Sequence, residues 1–522
     1  MRTLGLAALV IALCSACSAG PSIRPDVAVV EEQEGAPAST TGDVPTGAAE
    51  LPVPQHDLDW RDCTTTTVAV LGLPPGPPGL VLECAELTTP VDPDELMRGT
   101  FTLGVLRARL PQTPTDVAPL VLTTGADRSS TSTLAALATG PVGSLLPSRP
   151  LVAVDRRGIG TSTAIECANS TTTTMPRQAM IDLGQFTPPP APGGDEADTV
   201  LALGRDATTV CSDFLAPHEL SFDALNAAGD LDEIRRAWGV DRIGLIAAGS
   251  GVDVALAYAA EHPESLGRLV LDSPSVVRSD AATATESVVR GRQAALASYA
   301  RQCAALQCSL GPDPLGAITN LVERARNGEL GTVSANAVLI AITDFVGSPR
   351  PDVQAGIREF SDTLSAAAAG DTGPLQARID TAVAAIRTDG QFIARCSDGD
   401  QWPTPGRVRE LMTDWGQRYP VFGPEAALEM LLCASWPSTP PPPGPDTDTV
   451  GTMIVAGAAD PVGGDGSASA SGALGAVGTP TATIAWLGSG HPAFTHSDCV
   501  QLAIAGYADT GLLPPDGGAC PG

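Results

Sequence analysis

The chain has no lysine: all 30 of its basic residues are arginine. A phosphate-binding P-loop needs a lysine to reach the phosphates, so that class of nucleotide hydrolase is excluded. Aromatic residues are scarce, 4% of 522 residues. Leu, Val and Ala must therefore fill the core. Beyond Cys17 there is no Cys-x-x-Cys, so zinc-ribbon and thioredoxin-like chemistry have no footing. His56, His218, His262 and His496 have no companions at metal-ligand spacing, and no metal or cofactor is implied. Positive charge is short overall, with a formal net charge of −29. Such a field repels nucleic acid and anionic lipid headgroups.

What is present begins with an export signal. Arg2 precedes an apolar run from Leu4 to Leu13, and Ser15-Ala16 precede Cys17. The run is too short to cross a bilayer as a mature helix. It resembles a bacterial lipoprotein signal, in which the cysteine after the cleavage point carries lipid. Of the twelve cysteines, cleavage before Cys17 removes Cys14 and leaves an odd number. Ten can pair in an oxidising compartment, with Cys17 left over for the lipid. The expected location is the cell envelope, with the chain tethered to the outer face of the cytoplasmic membrane, or secreted. Membrane contact would be through that lipid alone.

Residues 18–57 are rich in Pro, Ala, Glu, Ser, Thr and Gly without apolar period, and read as a tether. Its random-coil reach is on the order of 35 Å. From residue 58 to 277, short β-rich runs alternate with helical ones, the pattern of a mostly parallel sheet with helices on both faces. The strand signals are Phe101–Leu110, Leu120–Thr123, Leu151–Val154, Ile243–Ala247 and Leu269–Leu271. From 278 to 446 the strand signal stops and Ala-rich helical stretches take over. It returns in 447–522, at Met453–Ala456 and Ala482–Leu487. A helical block between strands of one sheet is an inserted cap.

Acyl-transfer hydrolases of this architecture place nucleophile, acid and histidine in that chain order. Asp460 follows the strand signal Ile454-Val455-Ala456. His491 follows the next one, in Gly488-Ser489-Gly490-His491. An imidazole takes the nucleophile's proton and a carboxylate fixes its tautomer.

The chain resembles the tripeptidyl-aminopeptidase branch of the α/β-hydrolases, secreted or lipid-anchored serine peptidases of actinobacteria. Several stretches carry the likeness: Val152 to Ser162, Asp230 to Arg236, Leu269 to Pro274, the Asp460 and His491 segments, and Cys499 to Cys520. The resemblance implies an α/β-hydrolase fold with a helical cap. It also implies five disulfides between neighbouring cysteines: Cys63–Cys84, Cys167–Cys211, Cys303–Cys308, Cys396–Cys433 and Cys499–Cys520.

Two departures stand out. The family has Gly-x-Ser-x-Gly at the nucleophile turn, and this chain has Ala247-Ala248-Gly249-Ser250-Gly251. The nucleophile position falls on Gly249, with Ser250 one residue late. The family's glycine-rich oxyanion loop is here Gly125-Ala126-Asp127-Arg128-Ser129-Ser130. Asp127 puts negative charge where an oxyanion would form. The expectation is a hydrolase fold degraded in activity, binding a peptide or acyl ligand under its cap. The alternative is an active peptidase or esterase using Ser250 with His491 and Asp460. A third reading, a dinucleotide-binding turn at Gly249-Ser250-Gly251, lacks its third small residue because Val254 stands there. Asp155, Arg156 and Asp272 are expected to be structural loop residues.

Overall fold

The computed structural model describes residues 50–522, except 93–98, 142, 168–176, 387 and 438–439. The signal segment, Cys17 and the tether up to residue 49 lie outside the described residues.

Ten strands form one sheet: β1 (Arg61–Asp62), β2 (Val81–Pro90), β3 (Thr100–Arg109), β4 (Leu120–Thr123), β5 (Leu151–Val154), β6 (Ile243–Gly249), β7 (Leu266–Pro274), β8 (Thr452–Gly457), β9 (Thr481–Trp486) and β10 (Gly518–Cys520). Their order is β1-β2-β3-β5-β4-β6-β7-β8-β9-β10. The β1, β2, β3 and β5 pairings are antiparallel, and from β5 to β10 all are parallel. Strands β4, β5, β6 and β7 are buried along their whole length. Burial on both faces makes them continuous apolar runs, which is why they are readable in sequence. The sequence reading misses β1, β2 and β10. Strand β2 lies towards an edge, carries Glu83 and Glu86, and is only partly buried.

One face of the sheet is covered by helices Ala224–Trp238, Gly251–Glu261 and Ser467–Ala476. The other face is covered by Ser130–Thr139 and Asp498–Thr510. Local chemistry sets the ends. The Asp223 carboxylate accepts the Asn226 N–H at 2.9 Å to start one helix, and Gly239, at φ +66°, stops it in the left-handed conformation.

The turn after β6 is tighter than its residue types suggest. The strand runs on to Gly249 because Ala248 and Gly249 still pair with Asp272 and Pro274. The helix starts at Gly251. Only Ser250 separates them.

Among the described residues between 278 and 446 there is no strand. The helices there share one apolar cluster around Trp415, Phe360 and Leu431. Two helices from between β5 and β6, Arg177–Ile181 and Glu196–Leu215, join the same cluster. The helical layer is thus built from two insertions, where the sequence reading has one. Arg409 ties them together through Asp195 at 2.6 Å and Asp198 at 2.7 Å.

All five neighbouring-cysteine disulfides are present. Two sit at the outer strands of the sheet, with Cys84 on β2 and Cys520 on β10. The other three lie within the helical cluster. Among the described residues no helix is long and apolar enough to cross a membrane.

Candidate active site

Asp460 and His491 converge beyond the C-terminal ends of β8 and β9, both fully buried. One carboxylate oxygen of Asp460 accepts the N–H groups of Val462 and Gly463 at 2.8 and 2.7 Å. The other lies 2.7 Å from Nδ1 of His491. The histidine's own backbone N–H donates to the Gly347 carbonyl of the cap at 3.0 Å. The next residues, Ala493 and Phe494, donate their N–H groups to Asp272 at 2.9 and 2.8 Å. Burial pushes the Asp272 carboxyl up to about 6, against the pull of these hydrogen bonds. Burial by itself would lower the pKa of His491. The charge and hydrogen bond of Asp460 outweigh it, and the pKa ends above its ordinary 6.5. Nε2 of this imidazole has no hydrogen-bond partner.

The group facing that nitrogen is missing. Gly249 ends β6 with φ +56°, a conformation that L side chains rarely adopt. A Cβ on Gly249 would lie 3.3 Å from His491 Nε2 and 3.1 Å from its Cε1. Position 249 is therefore the turn residue that faces the histidine. Ser250 has ordinary helical dihedrals, φ −70° and ψ −10°. It is not brought into hydrogen-bonding contact with His491. Its hydroxyl accepts the Ala126 N–H at 3.1 Å, because a one-residue shift turns the side chain toward the β4 loop.

Asp127 completes the rearrangement. Its carboxylate accepts the Ser250 N–H at 2.7 Å and lies 2.6 Å from where a Cβ on Gly249 would stand. In a hydrolase of this fold the N–H after the nucleophile and one from the loop after an early strand hold the oxyanion. Here the Ser250 N–H is taken by Asp127 and the Ala126 N–H by the Ser250 hydroxyl. Gly125, at φ +64°, is required for this closure, since a Cβ there would meet the Gly251 nitrogen at 2.4 Å.

The loop is anchored from below. Asp155, at the end of β5, accepts from the Ser129 hydroxyl (2.9 Å), the Thr131 N–H (3.0 Å), the Thr131 hydroxyl (2.6 Å) and the Thr161 N–H (2.8 Å). Arg156 pairs with Asp398 of the cap at 2.6 Å. Asp155, Arg156 and Asp272 thus have structural partners. The anchoring by Ser129 and Thr131 escapes sequence reading, because a Ser-Ser-Thr run looks like any polar turn. Gly251 packs against the β4 end, where a Cβ would meet the Thr123 carbonyl at 2.4 Å. That contact accounts for this glycine without a pyrophosphate.

Two cavities of about 570 and 550 Å³ lie between sheet and cap and share Ala126, Asp127, Arg395 and Glu429 in their walls. Gly249, Asp460 and His491 line neither of them. Among the described residues no group of His, Cys, Asp and Glu could hold a metal ion.

Residues 419–520 match a family model described as TAP-like protein. That segment holds Asp460, His491 and the Cys499–Cys520 bridge. Serine protease Hip1 of Mycobacterium tuberculosis is 28% identical over 282 residues, which are 52% of this chain and 50% of that protein. The Mycobacterium bovis protein of the same name matches equally. The chain spans about half the length of the curated relatives it matches. Among solved structures, proline iminopeptidase of Mycobacterium smegmatis is 11% identical with a TM-score of 0.38, covering 81% of this chain and 97% of that one. A thermophilic esterase from Thermogutta terrifontis is 13% identical with a TM-score of 0.35, covering 82% and 99%. By its sheet order and its acid–histidine pair the chain has an α/β-hydrolase fold, and its C-terminal segment is similar to the TAP-like family.

Proposed function

We propose that this protein binds a peptide or acyl ligand beneath its helical cap without turning it over as a serine hydrolase. The observation that carries this reading is Gly249 at the elbow, facing the unpartnered Nε2 of His491. Loss of a triad nucleophile costs about a million-fold in turnover. Stabilisation of an oxyanion, the usual residual source of acceleration, is also compromised, since Asp127 holds one of its donors.

The test is labelling by a fluorophosphonate probe. The wild-type chain is expected to stay unlabelled. Stoichiometric labelling that disappears in Ser250→Ala would overturn the proposal and install the Ser250 reading in its place.

We also propose export, with a lipid on Cys17. The signal-like N-terminus supports it, as do the five disulfides, which leave only Cys14, inside the signal, and Cys17. Cys17→Ser is expected to release the protein from the membrane fraction; unchanged fractionation refutes the anchor.

A further inference from the structure

Four arginines line the first cavity: Arg128, Arg177, Arg292 and Arg395. Three have carboxylate partners. Arg128 faces Asp344 at 3.7 Å, Arg177 meets Asp389 at 2.7 Å, and Arg395 meets Glu429 at 2.8 Å. Arg292 is different. Its Nε donates to the Pro461 carbonyl at 3.2 Å, and among the described residues its terminal nitrogens have no carboxylate.

Its position is fixed by the active-site frame. Gly291, the residue before it, packs so closely on Asp460 that a Cβ would meet the Asp460 carbonyl at 1.9 Å. Arg292 is half-buried at the cavity wall, and the loss of hydration lowers its pKa, with attraction to Glu429 opposing. It nonetheless stays charged at neutral pH. A partly desolvated guanidinium that faces a cavity without a carboxylate partner is a binding point for an anion arriving from that cavity.

The cavity also limits what the anion can be. Met180, Leu339, Ile340, Phe392 and Phe422 give it an apolar wall. Asp127, Asp344, Asp389, Glu425 and Glu429 also line it, so a dianion would meet strong repulsion. Asp127 accepts from the Ser250 N–H and Glu429 pairs with Arg395. A volume of about 570 Å³ is within the range of small-molecule sites.

We propose that this cavity takes a monoanionic carboxylate with an apolar chain, its head group on Arg292. The inference rests on the reading of a site that binds without turnover, and names its ligand class. It makes the preferred ligand a free acid, the form in which a hydrolysed acyl group ends.

Isothermal titration with decanoate, decanol and decyl phosphate tests it on the full-length protein. Decanoate should bind at least about tenfold tighter than decanol, the size of a charged hydrogen bond. Decyl phosphate, a dianion at pH 8, should bind more weakly than decanoate. Arg292→Gln should erase the preference for decanoate, and Arg292→Lys should keep part of it. Ile340→Trp, which fills the apolar wall, should weaken decanoate and decanol together. Equal binding of decanoate and decanol, no decanoate binding, or an unaltered preference in Arg292→Gln each overturns the assignment. Fluorophosphonate labelling of wild type would instead sink the non-hydrolytic reading, so the two failures are separable.

Discussion

Asp460 and His491 stand after β8 and β9, where the surrounding groups support them: two backbone N–H groups on the acid, a cap carbonyl on the histidine's own N–H, and Asp272 under the next two residues. Gly249 ends β6, and Asp127 stands in the loop after β4. There the backbone makes the tight turn with Gly249 at its left-handed position and Asp127 on the Ser250 N–H. The comparison separates two demands on a catalytic site. The shape of the turn belongs to the fold, because β6 must hand over to the helix Gly251–Glu261 against the β4 loop. The reactive group belongs to function alone, and it can be lost without disturbing either element. A glycine at a left-handed position even relieves strain that a serine would carry.

The largest effect should come from rebuilding the half around Gly249. Gly249→Ser by itself puts a hydroxyl-bearing side chain beside His491 but also against Asp127, 2.6 Å from the new Cβ. Combining it with Asp127→Gly frees the Ser250 N–H. The double variant should react with a fluorophosphonate at least about a hundredfold faster than Gly249→Ser, the usual worth of one oxyanion donor. Equal rates would show that Asp127 is no obstacle, and would break the comparison at its centre.

Next is the anchor beneath the half around Gly249. Asp155 is almost fully buried and accepts several hydrogen bonds from the loop. Asp155→Ala should destabilise the protein by about 3 kcal/mol in chemical denaturation, since it strands buried donors. A loss below about 1 kcal/mol would mean that the loop is held by other contacts.

A smaller effect concerns the half around His491. The folded-state pKa of His491 is raised above 6.5. Its contribution to stability is therefore fully present below about pH 6.5 and is lost as pH rises through the folded value. The stability difference between wild type and His491→Gln should be larger at pH 6 than at pH 9. Direct NMR titration of His491 should give a midpoint above 6.5 that falls in Asp460→Asn. A midpoint below 6.5 in the wild type contradicts the ion-pair description.

The smallest is Ser250→Ala. It removes one hydrogen bond, to the Ala126 N–H, and should cost about 1 kcal/mol without altering the inertness to the fluorophosphonate.

Much of this was legible in the residues, and the exceptions have physical causes. The buried parallel strands carry short apolar runs such as Leu120–Leu122, Leu151–Val154 and Leu269–Leu271, which announce themselves, as do Asp460 and His491 in turns after β8 and β9. That Gly249 stands at the turn after the strand was readable from the Ala247-Ala248-Gly249-Ser250-Gly251 stretch. The negative charge of Asp127 was readable too, but not that its carboxylate reaches the Ser250 N–H, since a side chain's direction depends on the Asp155 anchor. Strand β2 was hidden by its charged, half-exposed face. The first helical insertion was hidden because Glu196–Leu215 reads like any amphipathic sheet-covering helix; only packing assigns it to the cap. Arg292 gave no signal at all, because the lack of an ion-pair partner is a property of three-dimensional surroundings.

The disulfide pattern has a consequence for how the chain is made. The five bridges join residues 21, 44, 5, 37 and 21 apart, and none encloses or crosses another. During synthesis from the N-terminus, each cysteine from Cys63 onward meets its partner before the first member of the next pair exists. Correct pairing can follow from order of appearance alone, without an isomerase to unscramble it. The sheet has no such privilege: β7 waits for β8, some 180 residues downstream, before its second edge is covered. The bridges can thus be complete in the helical insertions while the layer that will hold Asp460 against His491 has yet to be translated.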